Sequence, residues 1–177
     1  MLAQIGVKFE VMEVDVDESV ASGESPRAYV ERLARAKAEA GWRHLQQAKL
    51  PAAPVLGVDT TVAVDGRILG KPADRREAAE MLAALSGRRH EVLTAIALRR
   101  ESRLESLVSV SEVNFKALSA EEISQYVATG ECDDKAGAYA IQGRAAQFVA
   151  ELRGSFSGVM GLPLYETAQL IERISGG

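Results

Sequence analysis

Asp59 closes an apolar run, Pro54-Val55-Leu56-Gly57-Val58, and a lysine follows it in the step Gly70-Lys71-Pro72. A carboxylate at a strand end can hold a divalent cation or take a proton from water, while a nearby ammonium neutralises phosphate oxygens. The pairing of Asp59 and Lys71 points to phosphate chemistry. The plainer reading is an Asx turn at Asp59 and a surface lysine before a proline. Lys37 adds a second cation, four residues after Leu33 and seven after Val30, on a helical stripe that should face the core. A lysine there either snorkels past the edge of the stripe or borders a cleft. Glu18, in the acidic stretch Asp15-Val16-Asp17-Glu18, is either a cation ligand or a solvated charge. Gln142 carries an amide donor and a carbonyl acceptor, enough to read a planar base, yet a glutamine before a glycine also serves as a turn residue.

These side chains need elements to hold them. Pro54 to Val58 reads as a buried strand and Thr61 to Val64 as a second one, entering the hairpin step Asp65-Gly66. Ser25-Pro26 opens a long helix that carries Lys37 and runs toward Gly41. Asp74 with Glu77, and Ser119 with Glu122, are capping pairs for two further helices, stopped by Gly87 and near Gly130. Glu91 to Leu98 and Ser106 to Leu118 are extended, Ala138 to Ile141 and Gln147 to Leu152 are short strand candidates, and Pro163 starts a last helix. The glycine- and serine-rich stretch Gly154 to Pro163 is either a substrate lid or a connector. The alternation predicts an α/β class, a single domain with a central mixed sheet flanked by helices.

Composition narrows the function. At 177 residues, 47% of them hydrophobic, the chain can bury one sizeable core. A net charge of −4 leaves no broad basic face for a nucleic-acid backbone, so a polyanionic ligand must be met by a few placed cations and a metal. A small phosphorylated molecule fits better than nucleic acid. One cysteine, Cys132, and two histidines are too few for a disulfide or a zinc cluster, and no stretch approaches a membrane span or a secretory signal. A cytoplasmic location follows, with homodimer formation left open.

In unchanged order the chain carries Gly6-Val7-Lys8-Phe9-Glu10, Leu33-Ala34-Arg35-Ala36-Lys37-Ala38, Val55-Leu56-Gly57-Val58-Asp59-Thr60, Gly70-Lys71-Pro72, Leu85-Ser86-Gly87, Asp134-Lys135-Ala136-Gly137-Ala138-Tyr139, Ile141-Gln142-Gly143 and Gly161-Leu162-Pro163-Leu164. Each block is modest and the ordered set is specific. It resembles the Maf family of nucleoside triphosphate pyrophosphatases from about Gly6 to Glu166. The resemblance implies a sheet-based cleft like that of inosine triphosphate pyrophosphatases. It also implies hydrolysis of a nucleoside triphosphate to monophosphate and pyrophosphate with Mg²⁺ or Mn²⁺. By the same resemblance Asp59 matches the proton acceptor, Glu18 and Lys37 polar cleft residues, Lys71 the phosphate-side lysine, and Thr60 and Gln142 the specificity positions; the roles expected from this are Glu18 and Asp59 as metal ligands, with Lys37 and Lys71 on the substrate's phosphates. The Ala-Gly-Ala-Tyr and Ile-Gln-Gly blocks are similar to the branch acting on dTTP and UTP. The branch acting on 7-methyl-GTP comes second.

The family's opening strand and Ser-x-Ser-Pro-Arg-Arg loop have no counterpart here. Met1-Leu2-Ala3-Gln4-Ile5-Gly6 reads as the last turn of the helix that follows that loop, ending on its glycine. The expectation is a single domain over residues 1–177, N-terminally incomplete, with an open sheet edge. Its cause is a start codon placed too far downstream or a real shortening, and the latter would suit a non-catalytic nucleotide-binding regulator of cell division.

Overall fold

Caps and turns visible in the sequence delimit most elements of the computed structural model, which describes residues 1–175. Helix α1 spans Pro26–Gln47; the Ser25 side chain accepts a hydrogen bond from the Ala28 amide, and Pro26 fills the first turn, where its missing N–H costs nothing. It passes through Gly41, the expected stop, because that glycine is a contact point: a Cβ there would lie 2.7 Å from Val55 Cγ1. Strand β1 covers Val55–Val64 without a break, where two strands were expected, so Asp59 sits in mid-strand rather than at a turn. Asp65 and Gly66, both with positive φ, turn the chain into β2, Arg67–Leu69.

Asp74 caps α2, Arg75–Leu85, through the Glu77 amide. Strands β3, Arg89–Arg100, and β4, Arg103–Phe115, form a long hairpin. Helix α3, Ala120–Ala128, opens on a complete capping box between Ser119 and Glu122. The strand expected at Ala138 to Ile141 is instead a tight turn, since Gly137 and Ala138 have φ of 67° and 59°, a left-handed pair that no strand contains. Strand β5, Val149–Arg153, then α4, Phe156–Val159, and α5, Leu164–Ser175, complete the order.

The five strands lie in the order β2-β1-β3-β4-β5, and every pairing is antiparallel where a mixed sheet was expected. The reason lies in the connections. The α2 crossover leaves from β2, which already runs opposite to β1, so β3 enters beside β1 in the antiparallel sense. Helical cover is as expected. On one face α1 packs Tyr29, Val30, Leu33, Ala34 and Ala38 against Ala63, Leu93, Ala95 and Ala97. On the other, α2, α3 and the following turns surround Val62, Val92, Val113 and Phe115, while α5 packs separately on Ile96 and Leu98. Strand β2 covers β1 only from Val62 to Val64; among the described residues, the rest of that edge has no strand beside it.

Candidate active site

The uncovered edge of β1 lets one hollow, about 360 Å³ in volume, draw side chains from both faces of the sheet. Asp59 and Thr61 project to the α1 face, and Val58, Thr60 and Val62 to the other, by the alternation of a strand. All five line the hollow.

Gly57 decides how α1 meets this strand. A Cβ at Gly57 would lie 2.2 Å from the Ala34 carbonyl oxygen and 2.5 Å from the Ala38 amide nitrogen, so only glycine lets the helix backbone come so near. Lys37, one residue before Ala38, thereby reaches the carboxylate two residues along β1. Its Nζ lies 2.7 Å from Asp59 Oδ1 and 2.7 Å from Glu18 Oε1. The lysine borders a cleft rather than snorkelling to solvent. Glu18 is supplied by the extended segment before α1, which Arg32 holds by donating to the carbonyls of Asp17 and Ser19 and to the Glu24 carboxylate.

Burial pushes the Asp59 carboxyl above its usual range; hydrogen bonding to Lys37 opposes this, and the Glu18 charge adds to it. Burial pulls Lys37 down, but its hydrogen bonds to Asp59 and Glu18 outweigh that and leave its pKa raised. Glu18 is held low, first by its hydrogen bond to Lys37. Two carboxylates thus share one ammonium, an arrangement with unspent negative charge. Desolvation offsets much of the attraction in such a cluster, whereas each fully buried apolar side chain such as Leu33 contributes roughly 1.5–3 kcal/mol. Packing holds the fold, and the charged cluster adds little net stability to it.

Two further lysines face the same hollow. Lys71 follows β2, and Lys135 precedes the tight turn at Gly137. Their loops are tied together by the Gly137 amide, which donates to the Gly70 carbonyl at 3.0 Å. A Cβ on Gly137 would come within 2.7 Å of Val62, so this loop lies on β1 only because residue 137 has no side chain. Lys135 pairs with Asp134, which also lines the hollow. The opposite wall is mostly apolar: Val58, Val62, Val92, Tyr139, Val159 and Met160, with Thr60 and Gly161 among them.

Of the residues singled out in the sequence, Glu18, Lys37, Asp59, Thr60 and Lys71 meet in one hollow. Gln142 does not: it is exposed and lies outside the lining, because the left-handed turn at Gly137 and Ala138 redirects the chain after Tyr139. Lys135, Tyr139, Val159, Met160 and Gly161 are lining residues that the sequence reading did not place in the site. The first two lie inside the block Asp134-Lys135-Ala136-Gly137-Ala138-Tyr139, whose small residues are the signal that could have pointed to them. The last three belong to the stretch Gly154 to Pro163, which lines one side of the hollow and is tied to the sheet by hydrogen bonds. There the Ser155 hydroxyl accepts from the Gly158 amide, and the Ser111 hydroxyl accepts from the Ser155 amide and donates to its carbonyl.

The donor set suits a hard divalent cation. Among the described residues there is no group of three or more His, Cys, Asp or Glu able to enclose an ion. Mg²⁺ is commonly bound by one or two carboxylates together with substrate phosphates, however, and Glu18 and Asp59 supply that pair beside an under-neutralised charge.

Comparison with known proteins agrees with this geometry. The sequence profile described as Maf, Maf-like protein, matches residues 1–174. A protein of Aromatoleum aromaticum named dTTP/UTP pyrophosphatase is 56% identical, covering 97% of this chain and 88% of its own length. Proteins of the same name from Chromobacterium violaceum and Nitrosomonas europaea are 52% and 49% identical, each over 97% of this chain and 86% and 87% of their own lengths.

Proposed function

The chain belongs to the Maf family, and from that premise we propose that it hydrolyses dTTP and UTP to the nucleoside monophosphate and pyrophosphate. The observation that carries the reading is the convergence of Lys37 on both Asp59 and Glu18, in a hollow that Lys71 and Lys135 face and an apolar wall completes. Relatives at 48–56% identity that bear the name dTTP/UTP pyrophosphatase support the choice of substrate. The net charge of −4 argues against nucleic acid as the partner.

In this reading the triphosphate lies along the lysine-bearing side, where Lys37, Lys71 and Lys135 neutralise its oxygens. Lys37 occupies Asp59 Oδ1, and no hydrogen bond among the described residues engages Oδ2. That second oxygen orients a water for attack on the α-phosphorus and takes its proton, while the bond from the α-phosphorus to the bridging oxygen breaks and pyrophosphate leaves. The raised pKa of Asp59 makes it a stronger base than an ordinary carboxylate. Glu18 and Asp59 are the residues that would hold Mg²⁺ or Mn²⁺. Such an ion, when bound, would stabilise negative charge on the phosphate oxygens. The base lies against the wall of Thr60, Tyr139, Val159 and Met160. A cytoplasmic location accords with this substrate and with a buried, unpaired Cys132. Among the described residues, no helix is long and apolar enough to cross a membrane.

The test is pyrophosphate release from dTTP, UTP, CTP and 7-methyl-GTP by the wild-type chain and by Asp59→Asn. Turnover of dTTP and UTP should exceed the others, and the substitution should cut it by about a hundred- to ten-thousandfold. Undiminished turnover in Asp59→Asn would remove Asp59 as the base, and a preference for 7-methyl-GTP would move the substrate to the family's other branch.

A further inference from the structure

On the sheet face away from α1, the rows of cross-strand neighbours differ in polarity, and one of them carries a hydroxyl on each of β1, β3 and β4. Val58, Ile96 and Leu107 form one row. Thr60, Thr94 and Ser109 form the next, a line of hydroxyls across β1, β3 and β4. This polar row divides the two apolar clusters on that face, one around Val62 and Val92 and the other around Ile96 and Leu98. Helix α4 docks on it. The Thr94 hydroxyl, 1% exposed, donates to the Gly158 carbonyl at 2.8 Å and lies 2.9 Å from the Thr60 hydroxyl.

A hydroxyl has one proton to give. The Gly158 carbonyl can only accept, so the Thr94 proton is committed to it. The short contact with Thr60 is then a hydrogen bond only if Thr60 is the donor. Its proton points inward along the row, and what Thr60 offers the hollow is lone pairs alone. We propose that Thr94 is a positioning residue for base selection: it holds the Thr60 hydroxyl as an obligate hydrogen-bond acceptor, and at that point the site prefers a ligand that presents a donor. This rests on the pyrimidine triphosphate reading given above.

Uracil and thymine carry a ring N–H flanked by two carbonyls, whereas the corresponding ring nitrogen of cytosine is an acceptor. An acceptor-only Thr60 meets the first productively and faces the second with lone pair against lone pair, a mismatch that costs a site more than the absence of a contact. The same hydrogen bond to Gly158 fixes the start of the segment Val159-Met160-Gly161, whose residues line the hollow beside Thr60. Thr94 therefore governs both the polarity of the recognising group and the wall next to it, without lining the hollow itself.

The experiment compares kcat and KM for UTP and CTP in wild type, Thr94→Ser and Thr94→Val, each also in a Thr60→Val background, with thermal unfolding followed in parallel. Thr94→Val releases the Thr60 proton, which can then turn toward the acceptor nitrogen of cytosine, so the UTP-to-CTP ratio of kcat/KM should fall roughly three- to tenfold, mainly through a lower KM for CTP. Thr94→Ser keeps the donor and should keep the wild-type ratio. In Thr60→Val there is no hydroxyl left to orient, and Thr94→Val should leave the ratio where it stands. A ratio unmoved by Thr94→Val, or moved equally in both Thr60 backgrounds, overturns the proposal, and lower turnover of both substrates alike with a lower melting temperature would mark a purely structural role. Failure of the wild type to release pyrophosphate from any nucleotide would instead overturn the functional reading on which this one rests.

Discussion

Asp59 concentrates the conflict between stability and chemistry in this protein. Its carboxyl is 9% exposed, and burial lifts its pKa although Lys37 touches it. A carboxyl whose folded pKa lies above its unfolded value contributes stability below the unfolded pKa and loses it as pH rises through the folded one. At neutral pH the ionised Asp59 is therefore a stability cost, one that the proposed role would require, since a base must be ionised and close to its water. Under the proposed role of Asp59, catalysis inherits the same shift. The acidic limb of the kcat/KM profile should fall above the ordinary aspartate value of about 3.9. Glu18→Gln removes a neighbouring negative charge that helps raise Asp59, so it should move that limb to lower pH while raising KM for the metal-bound nucleotide. A pH–rate series on the two proteins at constant ionic strength measures this, and a limb that stays put or moves upward contradicts the coupling of the two carboxylates.

At the scale of elements, the site depends on how closely α1 crosses β1. The crossing places Gly57 against the Ala34 carbonyl and the Ala38 amide, and Gly41 against Val55. Backbone atoms of a helix cannot swing aside as a side-chain tip can, so a methyl group at residue 57 must push α1 outward. Gly57→Ala should destabilise the fold by about 1–3 kcal/mol, the usual cost of overpacking, read from the urea midpoint. It should also weaken substrate binding, since Lys37 would lose its reach to Asp59. Wild-type stability in Gly57→Ala would show that helix and strand are not in the contact described. On the other face Thr94 and Ser111 do the corresponding work for α4 and the residue that caps it, with directional hydrogen bonds where α1 uses bare backbone contact.

For the whole molecule, the most sensitive group is in the core rather than in the site. His90 is 3% exposed, with Nε2 2.9 Å from the Tyr139 hydroxyl and its ring edge-on to Phe115. Burial pulls its pKa down to about 4. Here the linkage runs opposite to Asp59. The stability gained from a neutral His90 is fully present above its unfolded pKa of about 6.5 and is lost as pH falls toward 4, because the unfolded chain binds the proton first. The loss across that window is about 3 kcal/mol from this residue, a large share of a typical domain's stability. Unfolding free energies of wild type and His90→Gln between pH 7 and pH 4 isolate it from the carboxylates. The variant should show a flatter decline, and parallel curves would mean that His90 does not enter the core uncharged. Tyr139 joins this cluster to the hollow, which it also lines.

Sequence alone determined the parts governed by local rules. The caps at Ser25, Asp74 and Ser119 and the turn at Asp65-Gly66 lie where their chemistry required, since each is settled by contacts within a few residues. Lys37 was equally legible, because a charge at a core-facing position departs from its local pattern, while Asp59 and Lys71 were legible through the ordered blocks that contain them. What only tertiary structure decided depends on residues distant in the chain. Asp59 continues a strand instead of ending it because Lys37, twenty-two positions earlier, compensates its charge. Gly41 fails to stop a helix because Val55 needs the space, and Gln142 leaves the site because Gly137 must fit against Val62. The hydroxyls of Thr60, Thr94 and Ser109 look like ordinary strand residues one by one. Their alignment into a single row comes from strand register, a relation between segments that no single segment encodes.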